Sequence, residues 1–244
     1  MSEEAPTTST TTTEMSAMQK IIGIFSAPRQ TFEAIDQKPT WLLPFLIGIV
    51  IFMIFQTLTV DIQMAERFET MEAQGRLTPE QLDAAKTQMM GPAKYIGLIA
   101  GPIVWLIMIL IMAAIFYVAA NLMIGGDSSY KKVFAIVCWS GLIGSLSLII
   151  MTLLILSKGT MQGVALDLTI LLDTPPLGGE KSALYRIFSN INVFTIWQIV
   201  LWIIGLSVSY KAATKKAAVP ILSLWGIWIV LYIVLGPFFD TLGM

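Results

Sequence analysis

The sequence contains no histidine and a single cysteine, Cys138, among 244 residues. These absences exclude a histidine general base, a Ser-His-Asp triad, a zinc site of Cys and His ligands, and a disulfide framework. Charged residues are scarce, at 13% of the chain against about 25% in ordinary soluble domains. The 15 basic and 16 acidic residues nearly cancel, so a basic nucleic-acid-binding surface is not expected.

Hydrophobic residues make up 56% of the chain, and every charge falls outside five charge-free stretches. Each stretch reaches the roughly 20 residues that a helix needs to cross a hydrocarbon core. Backbone polar groups in lipid must be satisfied within their own segment, so each stretch is predicted to be helical. The sequence therefore predicts an all-α, polytopic membrane protein, a bundle of five transmembrane helices. The predicted spans are residues 41–60, 99–124, 133–157, 188–210 and 217–239.

The region before the first span divides into two parts. Residues 1–17 are acidic and Thr-rich, and they are expected to be disordered because they have little apolar surface to bury. Residues 18–40 are amphipathic, with apolar clusters on either side of Pro28, which can begin a new helical turn. This region is either an interfacial helix pair, a docking surface for a partner, or an ordinary lead-in to the membrane domain at 41–240.

The connection between spans 1 and 2 is predicted to form an extramembrane helical hairpin. Met64, Phe68 and Met71 share one helix face, and Gly75 is a plausible stop. The sequence from Thr78 to Gln81 then has the pattern of a capping box, with Pro79 at the first helical position. The hairpin either binds a partner or connects the two spans.

The connection between spans 3 and 4 holds a weakly hydrophobic piece at 163–172, which is too short to span and is expected to rest in the membrane interface. The carboxylates of the connection are interpreted as solvated loop charges, since no His, Cys or matching second cluster accompanies them. They are Asp167, Asp173 and Glu180.

Lysines in the two shortest connections predict the orientation of the chain. The connections 125–132 and 211–216 hold five lysines and one acid, Asp127. Basic residues in short loops favour the cytoplasmic side, so the N-terminus is predicted in the cytoplasm and the C-terminus outside. These cytoplasmic basic anchors are Lys131, Lys132, Lys211, Lys215 and Lys216.

No Asp, Glu, Lys, Arg or His lies within a predicted span, which weakens the case for ion-coupled transport. Amides and small residues remain, and these either join helices or line a polar path. The amides are Asn121, Asn190, Asn192 and Gln198, and the small residues are Gly97, Gly101, Gly141, Ser145 and Gly205. No cofactor and no metal ion are expected.

Three short motifs lie near the starts of predicted spans, at residues 25–35, 125–131 and 192–197. They read FSAPRQTFEAI, GGDSSYK and NVFTIW. In this order they resemble the bacterial branch of the Yip family, the Ypt/Rab-interacting membrane proteins. The resemblance implies Rab binding in eukaryotes, but a Rab-type GTPase is not expected here, because a bacterial member has none to bind. It implies instead an accessory subunit, in some cases of an ABC-type export system with a periplasmic adaptor.

The leading interpretation is a non-enzymatic scaffold or accessory subunit in the bacterial plasma membrane. Its expected partners are the lipid bilayer and another membrane protein complex, and a homo-oligomer is also compatible with the sequence. One alternative is a transporter or channel subunit for a neutral or lipid-like solute, with the amides and Ser145 along its path. A second alternative is membrane shaping or lipid organisation by the amphipathic region.

Overall fold

Helices dominate the computed structural model of the chain, which describes residues 15–76, 78–89 and 94–242. These residues hold nine α-helices and one 3₁₀ turn, so the all-α prediction is confirmed for the described part of the chain. The helices are α1 (Ala17–Ser26), α2 (Pro28–Gln37), α3 (Leu42–Ala73), α4 (Pro79–Met89), α5 (Lys94–Met123), α6 (Tyr130–Lys158), α7 (Ala183–Phe188), α8 (Val193–Ser209) and α9 (Thr214–Leu242). The 3₁₀ turn is Leu168–Leu171.

Within the described residues, four helices are long and apolar enough to cross a membrane: α3, α5 from Leu98 onward, α6, and α9 as far as Phe238. The fourth predicted span, 188–210, is not one continuous helix. α7 ends at Phe188, and Asn192 caps the start of α8 by accepting a hydrogen bond of 2.7 Å from the Thr195 amide. α8 is therefore 17 residues long, which gives a rise of about 25 Å against a hydrocarbon core of about 30 Å.

The first arm of the expected hairpin is a continuation of the first span. α3 runs unbroken from Leu42 to Ala73, because helix-favouring residues fill 61–73 and neither Gly nor Pro interrupts them. Gly75 then ends the helix at a φ of +61°, as its position predicted. The expected capping box also begins α4: the Thr78 amide donates to Gln81 Oε1 at 3.0 Å, and the Gln81 amide to Thr78 Oγ1 at 3.3 Å.

The core lies along the first half of α6, where every residue from 133 to 140 is buried. α3 and α8 pack along this helix, and α5 closes another side. The Trp139 indole is 1% exposed, and its Nε1 donates to the Thr40 carbonyl at 2.6 Å. This hydrogen bond joins α6 to the segment that leads into α3.

The amphipathic region forms α1 and α2, which are separated by Ala27, with Pro28 as the first residue of α2. α2 packs on α8 and α6 and buries Phe32 and Ile35. Asp36 pairs with Lys132 at 2.8 Å. Most of the tail expected to be disordered, residues 1–17, lies outside the described residues, and α1 already begins at Ala17 under a capping box from Ser16.

The bundle has two distinct ends. We call the end that holds the short connections 124–129 and 210–213 the lysine end. The opposite end, which holds α4, the connection 159–192 and the last turns of α9, is the loop end. In the connection, Leu168 donates its amide to the Ile191 carbonyl at 3.1 Å, and this bond ties the 3₁₀ turn to the start of α8.

Candidate functional site: an ion-pair cluster at the loop end

A buried ion pair fastens the loop end together. Arg186 of α7 is 2% exposed, and its guanidinium contacts the carboxylate of Asp240 near the end of α9. Each residue lies immediately outside a charge-free stretch, since the stretches are 187–210 and 217–239. Consecutive antiparallel helices bring these two flanking positions to the same end of the bundle.

The neighbours of Arg186 are shaped to hold its side chain. The guanidinium carbon lies 5.6 Å from the centroid of the Tyr232 ring, within the range of a cation–π contact. Gly236 leaves the space that the guanidinium occupies, because a Cβ at that position would collide with it. The arginine is therefore enclosed by one face of α9.

Asp240 joins further segments to this pair. Lys181 Nζ lies 3.9 Å from Asp240 Oδ1, at the outer limit of an ion pair. Arg76, which follows α3, donates to the Asp240 carbonyl at 3.4 Å. We call Arg76, Lys181, Arg186 and Asp240 the loop-end cluster. It holds the end of α3, the long connection, α7 and the end of α9 in one arrangement.

A cavity of about 410 Å³ lies beside the cluster, between the end of α3 and the connection 159–192. Glu66 on its wall accepts hydrogen bonds from the Met161 amide at 2.6 Å and from the Thr160 hydroxyl. Gln74 donates to the Gly178 carbonyl at 3.2 Å. The lining combines these polar groups with apolar residues of the connection, and the volume is in the range of small-ligand sites.

The three predicted asparagines are divided between the two ends of the bundle. Asn121 accepts from the Tyr210 hydroxyl at 2.9 Å near the lysine end. At the loop end, Asn190 accepts from Trp228 Nε1 at 3.0 Å, and Asn192 caps α8. The oxygens of Asn121 and Asn190 thus join distant parts of the chain, whereas that of Asn192 acts within its own helix start. Gln198 lies in α8 beside Gly144.

The predicted small residues differ in their surroundings. A Cβ on Gly205 would lie 2.5 Å from Ile136 Cγ2, and one on Gly101 would lie 2.9 Å from Phe52 Cε1. A Cβ on Gly141 would meet nothing within 4 Å. The Ser145 hydroxyl donates to the Gly141 carbonyl at 3.2 Å within α6. Gly97 lies in α5, outside the residues whose contacts are described.

The predicted basic anchors all lie at the lysine end. Lys131, Lys211, Lys215 and Lys216 are exposed, whereas Lys132 is paired with Asp36. Within the described residues, no group of three or more Cys, Asp or Glu side chains could hold a metal ion.

Sequence reasoning missed the pairing of Arg186 with Asp240 and a polar seam on α3. Gln63 Nε2 donates to Gln56 Oε1 at 3.1 Å and to Thr59 Oγ1 at 2.7 Å. The same helix face continues through Glu66, Thr70 and Gln74 to the cavity. The spacing of these polar residues by three and four is the signal in the sequence that marks this face.

Comparison with known proteins identifies a family and a relative. A family model described as the Yip1 domain matches residues 22–236, from α1 to the last turns of α9. The curated "Membrane protein YknW" of Bacillus subtilis (strain 168) is 27% identical over 216 residues, which cover 86% of this chain and 87% of that protein. No solved structure matches the chain. The chain therefore belongs to the Yip1 domain family, as a multi-pass integral membrane protein of helical fold.

Proposed function

We propose that this protein is a non-enzymatic membrane scaffold or accessory subunit, and that its loop end binds another membrane complex. The observation that carries the proposal is the loop-end cluster, in which Asp240 joins three parts of the chain: the end of α3, the connection 159–192 and the end of α9. A platform held in place before binding loses less conformational entropy on association. The mixed polar and apolar cavity beside it provides the kind of surface found at protein interfaces.

The proposal includes five membrane crossings, with α8 as the shorter fourth. The exposed lysines of the short connections support a cytoplasmic lysine end, so the loop end faces outside the plasma membrane of a bacterium. A partner with a domain outside the membrane fits this orientation. The resemblance of the sequence to bacterial Yip proteins favours an ABC-type export system with its extracytoplasmic adaptor.

Cysteine labelling tests the orientation. With Cys138 replaced by Ser, a cysteine at position 215 is expected to react only after the cells are opened, and one at position 176 is expected to react in intact cells. Labelling of position 215 from outside intact cells contradicts the orientation.

Site-specific photo-crosslinking tests the binding surface. A photoreactive residue at the exposed position of Pro176, on the rim of the cavity, is expected to capture one defined membrane complex. The matched control is Leu122, which is 81% exposed on α5 near the lysine end and is expected to capture lipid. Equal protein capture at both positions, or none at Pro176, contradicts the proposal.

The polar seam on α3 supports a second candidate, a channel or transporter subunit for a neutral solute. It leads from Gln56, inside the first span, to the cavity at the loop end. In reconstituted liposomes, Gln63→Leu should lower solute flux, because it removes the side chain that bonds both Gln56 and Thr59. Thr57→Val is the matched control, since Thr57 is exposed and its hydroxyl donates to the Met53 carbonyl, outside the seam. Equal flux in both variants removes this candidate.

A further inference from the structure

α8 exposes apolar side chains over only part of its length. Val193, Ile196 and Val200 are exposed on one face, whereas no residue from 201 to 210 is exposed. α2, α6 and α9 pack on α8, and Arg29 of α2 donates to the hydroxyl of Ser207 at 3.5 Å. The lipid-facing surface of the fourth crossing therefore stops about halfway along α8, and another element is needed to extend it.

α1 has the surface that such an element needs. One side of α1 docks onto the protein through the buried residues Lys20, Gly23 and Ile24. The opposite side carries Met18, Ile22 and Phe25, which are 64%, 59% and 36% exposed. Their spacing of four and three residues places them on one helix face, opposite the docked side.

The position of Phe25 sets the depth of this face. Its ring meets the ring of Trp197 edge-on, with 5.7 Å between the centroids. Trp197 is the fifth residue of α8, and it lies about 18 Å along the helix from Ser209. The end of α1 thus lies alongside the apolar part of α8, well away from the water at the lysine end.

We propose that α1 lies within the hydrocarbon layer beside α8, where Met18, Ile22 and Phe25 contact acyl chains. Together with Val193, Ile196 and Val200 of α8, these side chains form one lipid-facing surface. α1 thereby extends the apolar surface that α8 offers to the membrane. Lipid is the occupant because the surface adjoins that of a membrane helix.

Charged groups mark where this embedded surface ends. Arg29, at the start of α2, donates to Thr214 Oγ1 at 3.3 Å, where α9 begins at the lysine end. The exposed residues of α2 are polar, and they include Gln30 and Glu33. The short connections at the same end carry exposed lysines, which suit anionic headgroups. α2 is therefore the headgroup-level helix above the embedded α1.

This proposal concerns α1 and does not depend on partner binding at the loop end. Depth-dependent quenching tests it. In a Cys138→Ser background, single cysteines replace Ile22 and Met18 on α1, Gln30 on α2, and Val200 on α8. Each carries an environment-sensitive NBD fluorophore, in vesicles of phosphatidylcholine and phosphatidylglycerol with doxyl-labelled acyl chains.

Labels at positions 22 and 18 are expected to emit at shorter wavelength than the label at 30. They should lose fluorescence to acyl-chain doxyl groups as the lipid-facing label at 200 does, and resist iodide quenching in water. The label at 30 should show the reverse. Vesicles without phosphatidylglycerol are expected to give the same order of quenching. The labels on α1 should then resist iodide less well, because the lysines no longer have anionic headgroups to bind.

Two results overturn the proposal. If labels at both 22 and 18 are quenched by iodide as strongly as the label at 30, α1 lies in water. If they resist iodide but also escape the doxyl groups, a protein surface covers α1 instead of lipid. Two independent α1 positions are used so that one poorly folded variant cannot decide the outcome.

Discussion

The guanidinium of Arg186 pairs with the carboxylate of Asp240 across 54 residues of sequence, and it does so with only 2% of Arg186 exposed. Each charge neutralises the other where water is largely excluded. Removing one partner of a buried pair leaves an uncompensated charge, which is strongly destabilising. The stability of the loop end should therefore depend on both residues together.

Replacing Asp240 tests that dependence. Asp240→Asn is expected to destabilise the protein by about 3 kcal/mol, because Arg186 keeps its charge and loses its counterion. The measurement is thermal or denaturant unfolding in detergent. Glu180→Gln is the matched control. Glu180 is an exposed acid of the connection 159–192, at the same end of the bundle, and the loss of its charge should have little effect. An equal response of the two variants contradicts the role assigned to the pair.

A substitution that leaves both charges in place gives an independent test. Gly236→Ala puts a Cβ where the Arg186 guanidinium lies, so the pair must shift and stability should fall by about 1–3 kcal/mol. Gly226→Ala, on the same helix, meets open space and should be neutral or slightly stabilising, because Ala favours the helix. The measurement is the unfolding midpoint of each variant. If Gly226→Ala unfolds at a lower midpoint than Gly236→Ala, the role of Gly236 in making room for Arg186 is contradicted.

The contact between α6 and α8 yields a second glycine comparison. Gly205→Ala should cost about 1–3 kcal/mol, since the added Cβ meets Ile136 across the helix interface. Gly141→Ala has space around it and should leave stability nearly unchanged. Unfolding in matched detergent checks both, and a tolerated alanine at 205 would mean that α8 packs less closely than described.

The capping box of α4 should control that helix locally. Thr78→Ala removes the acceptor of the Gln81 amide and should weaken α4 by about 1 kcal/mol. Amide hydrogen exchange is expected to accelerate in α4 while the exchange of α6 stays the same. Thr87→Ala serves as control, because Thr87 bonds back to the Asp83 carbonyl within the helix. Unchanged exchange in α4 would show that the cap does not limit its opening.

Local chemistry explains which parts of the fold could be predicted. Pro28 begins α2, Gly75 ends α3, and Thr78 with Gln81 begins α4, since each effect depends on a few neighbouring residues. The helical nature of the apolar stretches follows from the need to satisfy backbone groups in lipid. These features needed no knowledge of tertiary contacts.

Burial and pairing could not be predicted in the same way. The charge-free stretches are all strongly apolar, because lipid and protein interior favour the same side chains. Hydropathy therefore could not show that α6 is central while α5 and α9 lie outside it. The contacts of Arg186 depend on how the chain turns between α7 and α8, which local sequence does not determine. The first arm of the hairpin is part of α3, because no residue between the span and Gly75 breaks the helix.

Binding of a second membrane complex at the loop end is the proposed function of the protein. Its most direct test is the subunit composition of particles extracted from native membranes with a styrene–maleic acid polymer, which retains surrounding lipid. The wild-type chain is predicted to be recovered at fixed stoichiometry with a distinct membrane complex, and Asp240→Asn to lose that complex while remaining in the membrane. Recovery of the wild-type chain alone, or only with copies of itself, would contradict the claim.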